Sequence, residues 1–206
     1  LRAMRTVPYY EEFARKIRDI CPNAWVLNFT NPMSICVKTL YDVFPQIKAF
    51  GCCHEVFHTQ DLLTCVLKEL KGIEVDRKQI YTDACGINHF TWLTRATYKD
   101  VDLMPLYAEF AKKHADGYDK GGDKNWMNSS FSSAEMVKFD LFNRYGAIAA
   151  AGDRHLAEFM APIYTRDPET VTSWKYGLTT VDWRKGDLQR RMQRSDDLIS
   201  GKEELN

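Results

Sequence analysis

No charge of either sign predominates in this chain: Lys and Arg number 28, and so do Asp and Glu. Without a basic run there is no electrostatic case for nucleic acid, whose phosphates call for many cations on one face. No apolar stretch approaches the roughly 18 residues of a membrane span, so no membrane partner is expected. The opening residues Leu1-Arg2-Ala3-Met4-Arg5 lack the apolar segment of a signal peptide. They also lack an initiator methionine, and the chain is expected to begin inside a longer one. Cys21, Cys36, Cys52, Cys53, Cys65 and Cys85 sit in apolar surroundings without the spacing of a disulfide scaffold, which predicts reduced thiols and a cytoplasmic protein. The 11 glycines include no Gly-x-Gly-x-x-Gly, the fingerprint of a loop that cradles a dinucleotide pyrophosphate.

What is present is an ordinary globular balance, 45% hydrophobic and 27% charged, over 206 residues. That length suits one good core or parts of two domains. Pro8 followed by Tyr9, Phe13, Ile17 and Ile20 predicts an amphipathic helix opening on proline and ending near Cys21-Pro22. Ala24 to Phe29 reads as a short buried strand, broken by Asn31-Pro32. A helix from Met33 to Val43, a strand from Ile47 to Phe50 and a helix from Val56 to Leu70, closed by Gly72, follow at short intervals. This alternation is the mark of βαβ units around a parallel sheet. Beyond Gly72 the residues from Ile80 to Tyr98 turn β-branched and aromatic. Residues 115–130 are rich in glycine and polar side chains and predict a surface loop. Helices are expected over Ser132 to Ala151, with close packing at its alanines, and over Asp187 to Ser200, with Leu188, Met192 and Leu198 on one side.

Three clusters carry candidate chemistry. Two strands end in Asn28-Phe29-Thr30-Asn31-Pro32 and Gly51-Cys52-Cys53-His54-Glu55, and parallel α/β sheets bind ligands beyond such carboxyl ends. Asn31 offers donors and an acceptor for sugar hydroxyls, although Asn-Pro also reads as a plain turn. Cys53 and His89 pair a thiolate with an imidazole, as a catalytic metal with open positions would need. Buried free cysteines are common, however, and no zinc-type spacing accompanies the pair. Gly152-Asp153-Arg154-His155 follows a helix, and there Asp153 reads equally as a cap or as a site residue. His58 and His114 fall within helical patterns and are expected at the surface.

Taken in order, Asn31-Pro32, Gly51-Cys52-Cys53-His54, Gly86-Ile87-Asn88-His89 and Gly152-Asp153-Arg154-His155-Leu156-Ala157-Glu158-Phe159 resemble glycoside hydrolase family 4. The likeness continues through Trp183-Arg184-Lys185 and covers nearly the whole chain. Each motif is short, but the ordered set is specific. The resemblance implies an α/β protein: the C-terminal part of a Rossmann-like dinucleotide-binding domain over 1–50, then an α+β catalytic domain over 51–206.

It also implies a mechanism unlike the two-carboxylate scheme of most glycosidases. In the family, NAD oxidises the sugar at C3, which makes the C2 proton removable. A divalent metal, usually Mn2+, stabilises the resulting enolate as a Lewis acid. The C1 substituent is then eliminated, water adds and the hydride returns. By motif match Cys53 and His89 are metal ligands, and Asn31, Asn88 and Arg154 bind substrate. His54 stands where relatives carry a proposed general acid, and Asp153 is the expected base, with Tyr145 and His155 as further candidates. The Cys-Cys-His-Glu and Gly-Asp-Arg-His versions look most like the α-galacturonidase branch, where Arg154 would pair with a uronic carboxylate. α-Galactosides and 6-phospho-glycosides are the competing small-molecule substrates. The family implies a homo-oligomer, a dimer or tetramer. Without the glycine fingerprint these residues are expected to bind NAD weakly alone. Two other readings stay open: an inactive remnant serving as an oligomerisation module, and a simple NAD dehydrogenase, which leaves Cys53 and His89 unexplained.

Overall fold

The computed structural model describes residues 2–118 and 133–204. The expected loop at 115–130 lies, beyond Tyr118, outside the described residues. Helix α1 (Arg2–Ile20) precedes strand β1 (Trp25–Asn28), helix α2 (Met33–Val43) and strand β2 (Lys48–Gly51). The two strands pair in parallel from Trp25↔Lys48 to Asn28↔Gly51, the βαβ unit that the alternation predicts. The first helix differs from expectation. It starts six residues before Pro8, and the side it buries is Tyr10, Ala14 and Ile17, packed on Cys36, Leu40, Phe44, Ile47 and Ala49. Those positions, spaced four and three apart, share one helical face, whereas Tyr9, Phe13 and Ile20 point to solvent. Strand β1 is also less buried than its apolar run suggests. Its side chains alternate, so Asn28 turns inward while Trp25 and Leu27 stay 66% and 54% exposed.

Helix α3 (Glu55–Lys71) contributes Leu62, Leu63, Val66 and Leu67 to the main core, and Gly72, at φ +66°, ends it: the Gly72 N–H donates to the Lys68 carbonyl and the Ile73 N–H to that of Leu67. An antiparallel hairpin follows, β3 (Ile80–Ile87) and β4 (Phe90–Tyr98), with Asn88 and His89 at its turn. Strands β5 (Val101–Asp102) and β6 (Ile148–Ala149) complete a four-stranded sheet by pairing with β4. Helices α4 (Met104–Lys113) and α5 (Met136–Tyr145) cover it through Tyr107, Phe110, Phe139 and Phe142. Short helices α6 (Asp153–Phe159) and α7 (Pro168–Ser173) lead to α8 (Val181–Ile199).

The helix expected from Ser132 to Ala151 is shorter. Gly146, at φ +70°, caps α5 by donating to the Phe142 carbonyl, and the alanines after it run as strand and linker. Ala149, Ala150 and Ala151 are almost fully buried, because their small side chains let β6 press against β4. Gly152 does not end that helix but stands as the N-cap of α6. Helix α8 starts earlier than expected, at Val181, because Thr180 caps it by accepting from the Trp183 N–H. None of its residues is buried, so the stripe of Leu188, Met192 and Leu198 covers no core. Among the described residues no helix is long and apolar enough to cross a membrane.

Two glycines set the geometry near the hairpin and β2. A Cβ on Gly51 would lie 2.5 Å from the Met33 sulfur, so any larger residue there would have to displace the Met33 side chain at the start of α2. Gly86 has φ +110°, and a Cβ on it would lie 2.6 Å from the Phe90 carbonyl oxygen. Gly86→Ala is therefore expected to destabilise the fold by about 1–3 kcal/mol, through left-handed strain and a displaced hairpin end. Urea unfolding of the variant beside the parent protein checks this.

Candidate metal centre and its cavity

The ends of both parallel strands, the hairpin turn and the start of α6 meet at one cavity of about 1440 Å³. The Cys52 N–H donates to the Asn28 carbonyl at 2.9 Å, extending the ladder and fixing where Cys53 emerges. At the hairpin turn the Asn88 N–H donates to the Ser34 hydroxyl (3.1 Å), and the Asn88 amide donates to the Asn31 oxygen (3.1 Å). These bonds tie the turn to the first residues of α2. His89 stands at φ +65°, a conformation that costs a non-glycine residue free energy and recurs where function fixes a side chain.

One atom each of Cys53, Glu55 and His89 lies within 4.8 Å of the others, among the described residues a group of donors able to hold an ion. A thiolate, a carboxylate and an imidazole form a donor set suited to a divalent transition metal. Cys53 and His89 are therefore brought together, as the motif match implies, and Glu55 joins them. Its side chain, only 13% exposed, hydrogen-bonds Nδ1 of His155 and accepts the Gly152 N–H at 3.3 Å. The His155 ring stacks on His89, centroids 3.8 Å apart and planes within 3°.

The electrostatics follow from this crowding. Burial pushes Glu55 up, but the His155 hydrogen bond, the charges of His155 and His89 and the Gly152 N–H outweigh it and hold the carboxyl below its usual range. Burial and neighbouring His155 lower His89 despite Glu55 and Glu158, which favours the neutral ring that a metal binds. Burial, helped by the Glu55 charge, raises the Cys53 thiol.

The remaining expected residues differ in setting. Asn31, Asn88, Arg154 and His155 line the cavity. His54 lies there too, exposed at the N-cap of α3, with its ring 4.8 Å from that of His58. His58 is at the surface as expected and lines the same cavity, whereas His114 is only partly exposed and bonds Glu69 at 2.8 Å. Asp153 is fully buried at the first position of α6 and serves a different helix. Its two oxygens accept the Val137 N–H (3.2 Å) and the Lys138 N–H (3.1 Å) at the start of α5. Burial and the nearby Glu135 raise its pKa from 3.8 to about 7, against the pull of Lys138 and the two N–H groups. Tyr145 packs its ring against Trp92, 5.8 Å away, and is not among the described residues lining the cavity.

Glu55 was missed by sequence reasoning. Its only local signal is its place two residues after Cys53 in the first turn of a helix, where a carboxylate is also favoured by the helix dipole. Arg184, which lines the same cavity, was noted only as part of a stretch.

Two predictions arise. A protonated Cys53 thiol and a neutral His89 mean that Mn2+ binding near pH 7 should release about one proton. Calorimetric titrations in buffers of different ionisation enthalpy measure it, and the proton should vanish in Cys53→Ser. For Asp153, folding raises a carboxyl pKa, so between pH 4 and 7 the folded state holds more protons than the unfolded chain. Its contribution to stability thus declines as pH rises through that window and is flat above it. Asp153→Asn does not titrate there, so unfolding at pH 5 and pH 8 should show the variant gaining relative to the parent at the higher pH.

Comparison with known families matches residues 1–69 to "Family 4 glycosyl hydrolase" and residues 84–202 to "Family 4 glycosyl hydrolase C-terminal domain". An alpha-galacturonidase of Thermoanaerobacterium saccharolyticum (strain DSM 8691 / JW/SL-YS485) is 58% identical over 100% of this chain and 45% of its own length. The crystal structure of lplD from Bacillus subtilis superposes with a TM-score of 0.88 at 50% identity, over 97% of this chain and 46% of that one. A 6-phospho-alpha-glucosidase from gut microorganisms, solved in complex with NAD and Mn2+, shares the fold at TM-score 0.60 and 17% identity, over 96% of this chain and 42% of its own. The chain thus spans a little less than half the length of these relatives. Both family models fall on it in order, and the chain belongs to glycosyl hydrolase family 4.

Proposed function

We propose that this chain supplies the metal and sugar site of an α-galacturonidase that uses NAD and Mn2+. The observation that carries the reading is the convergence of Cys53, Glu55 and His89 on one point, where Glu55 and His89 line a cavity that also holds Asn31, Asn88 and Arg154. The identity of 58% to a protein named alpha-galacturonidase supports the substrate class. A divalent ion at the three donors would supply Lewis acidity toward neighbouring sugar oxygens. The sequence holds no glycine fingerprint for a pyrophosphate, so nothing among these residues fits that part of NAD.

The chain's own side chains have distinct tasks in this reading. The Asn31 and Asn88 amides, locked to each other, bind and orient sugar hydroxyls. His54, exposed in the cavity beside His58, serves the leaving group as proton donor. Asp153, with a pKa near working pH, is the proposed acceptor of the C2 proton. A second reading of that acceptor is favoured by the Glu55–His155 hydrogen bond: His155, oriented by a carboxylate, has the base-and-orienter geometry of many proton acceptors. We also infer residence in the cytoplasm, in keeping with six free thiols, and assembly as a homo-oligomer, in keeping with the exposed Trp25, Leu27 and Phe29. The division into a dinucleotide-domain end over 1–50 and a catalytic part over 51–206 belongs to the same reading.

The test is release of p-nitrophenol from its α-galacturonide and α-galactoside by this chain joined to a glycine-rich dinucleotide-binding segment, with NAD and Mn2+ supplied, alongside direct Mn2+ binding by the chain itself. Cys53→Ser and His89→Ala should each weaken Mn2+ binding by more than the roughly 10–100-fold typical of losing an outer neighbour, and should abolish turnover of the galacturonide. Mn2+ affinity untouched by both substitutions would end the proposal. Loss of C2 deuterium exchange in Asp153→Asn but not in His155→Gln, or the reverse, identifies the acceptor.

A further inference from the structure

Two cations share the cavity with the metal donors. Arg154 projects from the second position of α6 and Arg184 from the first turn of α8, and both line the cavity that contains Cys53's partners Glu55 and His89. Arg154 is partly buried. Arg184 is held by its own segment, donating from a guanidinium nitrogen to the Thr179 hydroxyl at 2.6 Å. Among the described residues no carboxylate pairs with it. The two guanidinium groups feel each other: burial lowers Arg154 below the usual arginine value, the Glu158 carboxylate offsets part of that, and the smaller Arg184 charge lowers it further against Glu55. An anion entering the cavity would be attracted by both guanidinium groups, beyond the compensation that Glu158 and Glu55 already give Arg154.

We propose that Arg184, together with Arg154, forms a fork that recognises an anionic substituent on C6 of the bound sugar, and that Arg184 determines the choice of charged over neutral glycosides. This inference rests on the reading of the cavity as a glycoside site. A planar guanidinium meets a carboxylate or a phosphate through paired hydrogen bonds, and a second one beside it supplies both charge and direction. The pull on the anion also sets the sugar's orientation, since C6 held at the fork leaves other ring hydroxyls to the Asn31, Asn88 and metal end. Two anions share this chemistry, a uronic carboxylate and a 6-phosphate ester.

The experiment is calorimetric binding to the Mn2+-loaded protein of methyl α-galactosiduronate, methyl α-galactoside and galactose 6-phosphate, with Arg184→Gln and Arg184→Lys beside the parent. Thermal unfolding first establishes that the exposed substitutions leave the fold intact. The uronate should bind at least about tenfold better than the neutral galactoside. Arg184→Gln should lower uronate affinity by roughly 10–100-fold and leave the neutral sugar unchanged, with lysine restoring part of the loss. The same pattern on the phosphate alone would support the fork and assign it to a phosphate ester. Equal losses for charged and neutral sugars, or no loss at all, would overturn the role of Arg184 while leaving the glycosidase reading standing. Failure of all three sugars to bind the parent protein would remove both.

Discussion

The carboxylate of Glu55 is the point on which the site's assembly depends. It opens α3, yet its oxygens reach the first turn of α6 through the Gly152 N–H and the His155 ring, and they approach His89 at the hairpin turn. Without that negative charge two stacked imidazoles and a nearby guanidinium would face each other with Glu158 as their remaining compensation. The stack of His155 on His89 persists because one ring is anchored to Glu55 and the other is kept neutral by burial. A second tie runs in parallel, from the Thr59 hydroxyl one turn further along α3 to the Ala150 carbonyl at 2.7 Å. The start of α3 is therefore clamped against the β6–α6 connection before any ligand arrives, which is the preorganisation that a metal centre exploits.

Around this clamp the polar groups sort by how much water they keep. Asp153 has none, and it is satisfied by the first N–H groups of α5, so a site motif residue also holds a helix in place. Near it Lys138 and Glu135 form an ion pair at 2.7 Å with the lysine almost wholly buried. Such a cluster fixes geometry more than it adds stability, because each charge has lost its hydration. His54 and Arg184 keep their water and stand at the open side. That gradient from dry to wet gives one cavity both rigidly held donor groups and accessible polar side chains.

How much of this was legible in the sequence depends on the range of the forces involved. The βαβ opening was, since Met33–Val43 and the strands around it are set by local breaks at Asn31-Pro32, Pro45 and Gly51. The motif residues Asn31, Cys53, Asn88 and His89 were legible as types, and the structure brings them to one cavity or to one cluster of donors. Glu55 was not, because its partners lie 97 and 100 residues away, and no local pattern distinguishes a clamping glutamate from an ordinary one at a helix start. The alanines after Gly146 misled for a related reason. Alanine favours helix in isolation, but these sit where only a small side chain fits between β4 and the core, and the sheet overrode propensity. Asp153 was read as a cap or a site residue, and it caps, but for α5 and not for the helix on which it lies.

The same contrast bears on how one scaffold can serve several sugars. The donor group and the asparagine pair are held by backbone ties across the sheet ends and the hairpin, so altering them would disturb the fold around them. Among the described residues Arg184 hydrogen-bonds Thr179, in a segment that covers no core and begins a helix with no buried residue. A change there costs the fold little. The proposed metal donors therefore sit on elements cross-linked over long sequence distances, and the proposed reader of substrate charge sits on a locally held one. Specificity can then shift by single exposed substitutions while the metal end remains as it is.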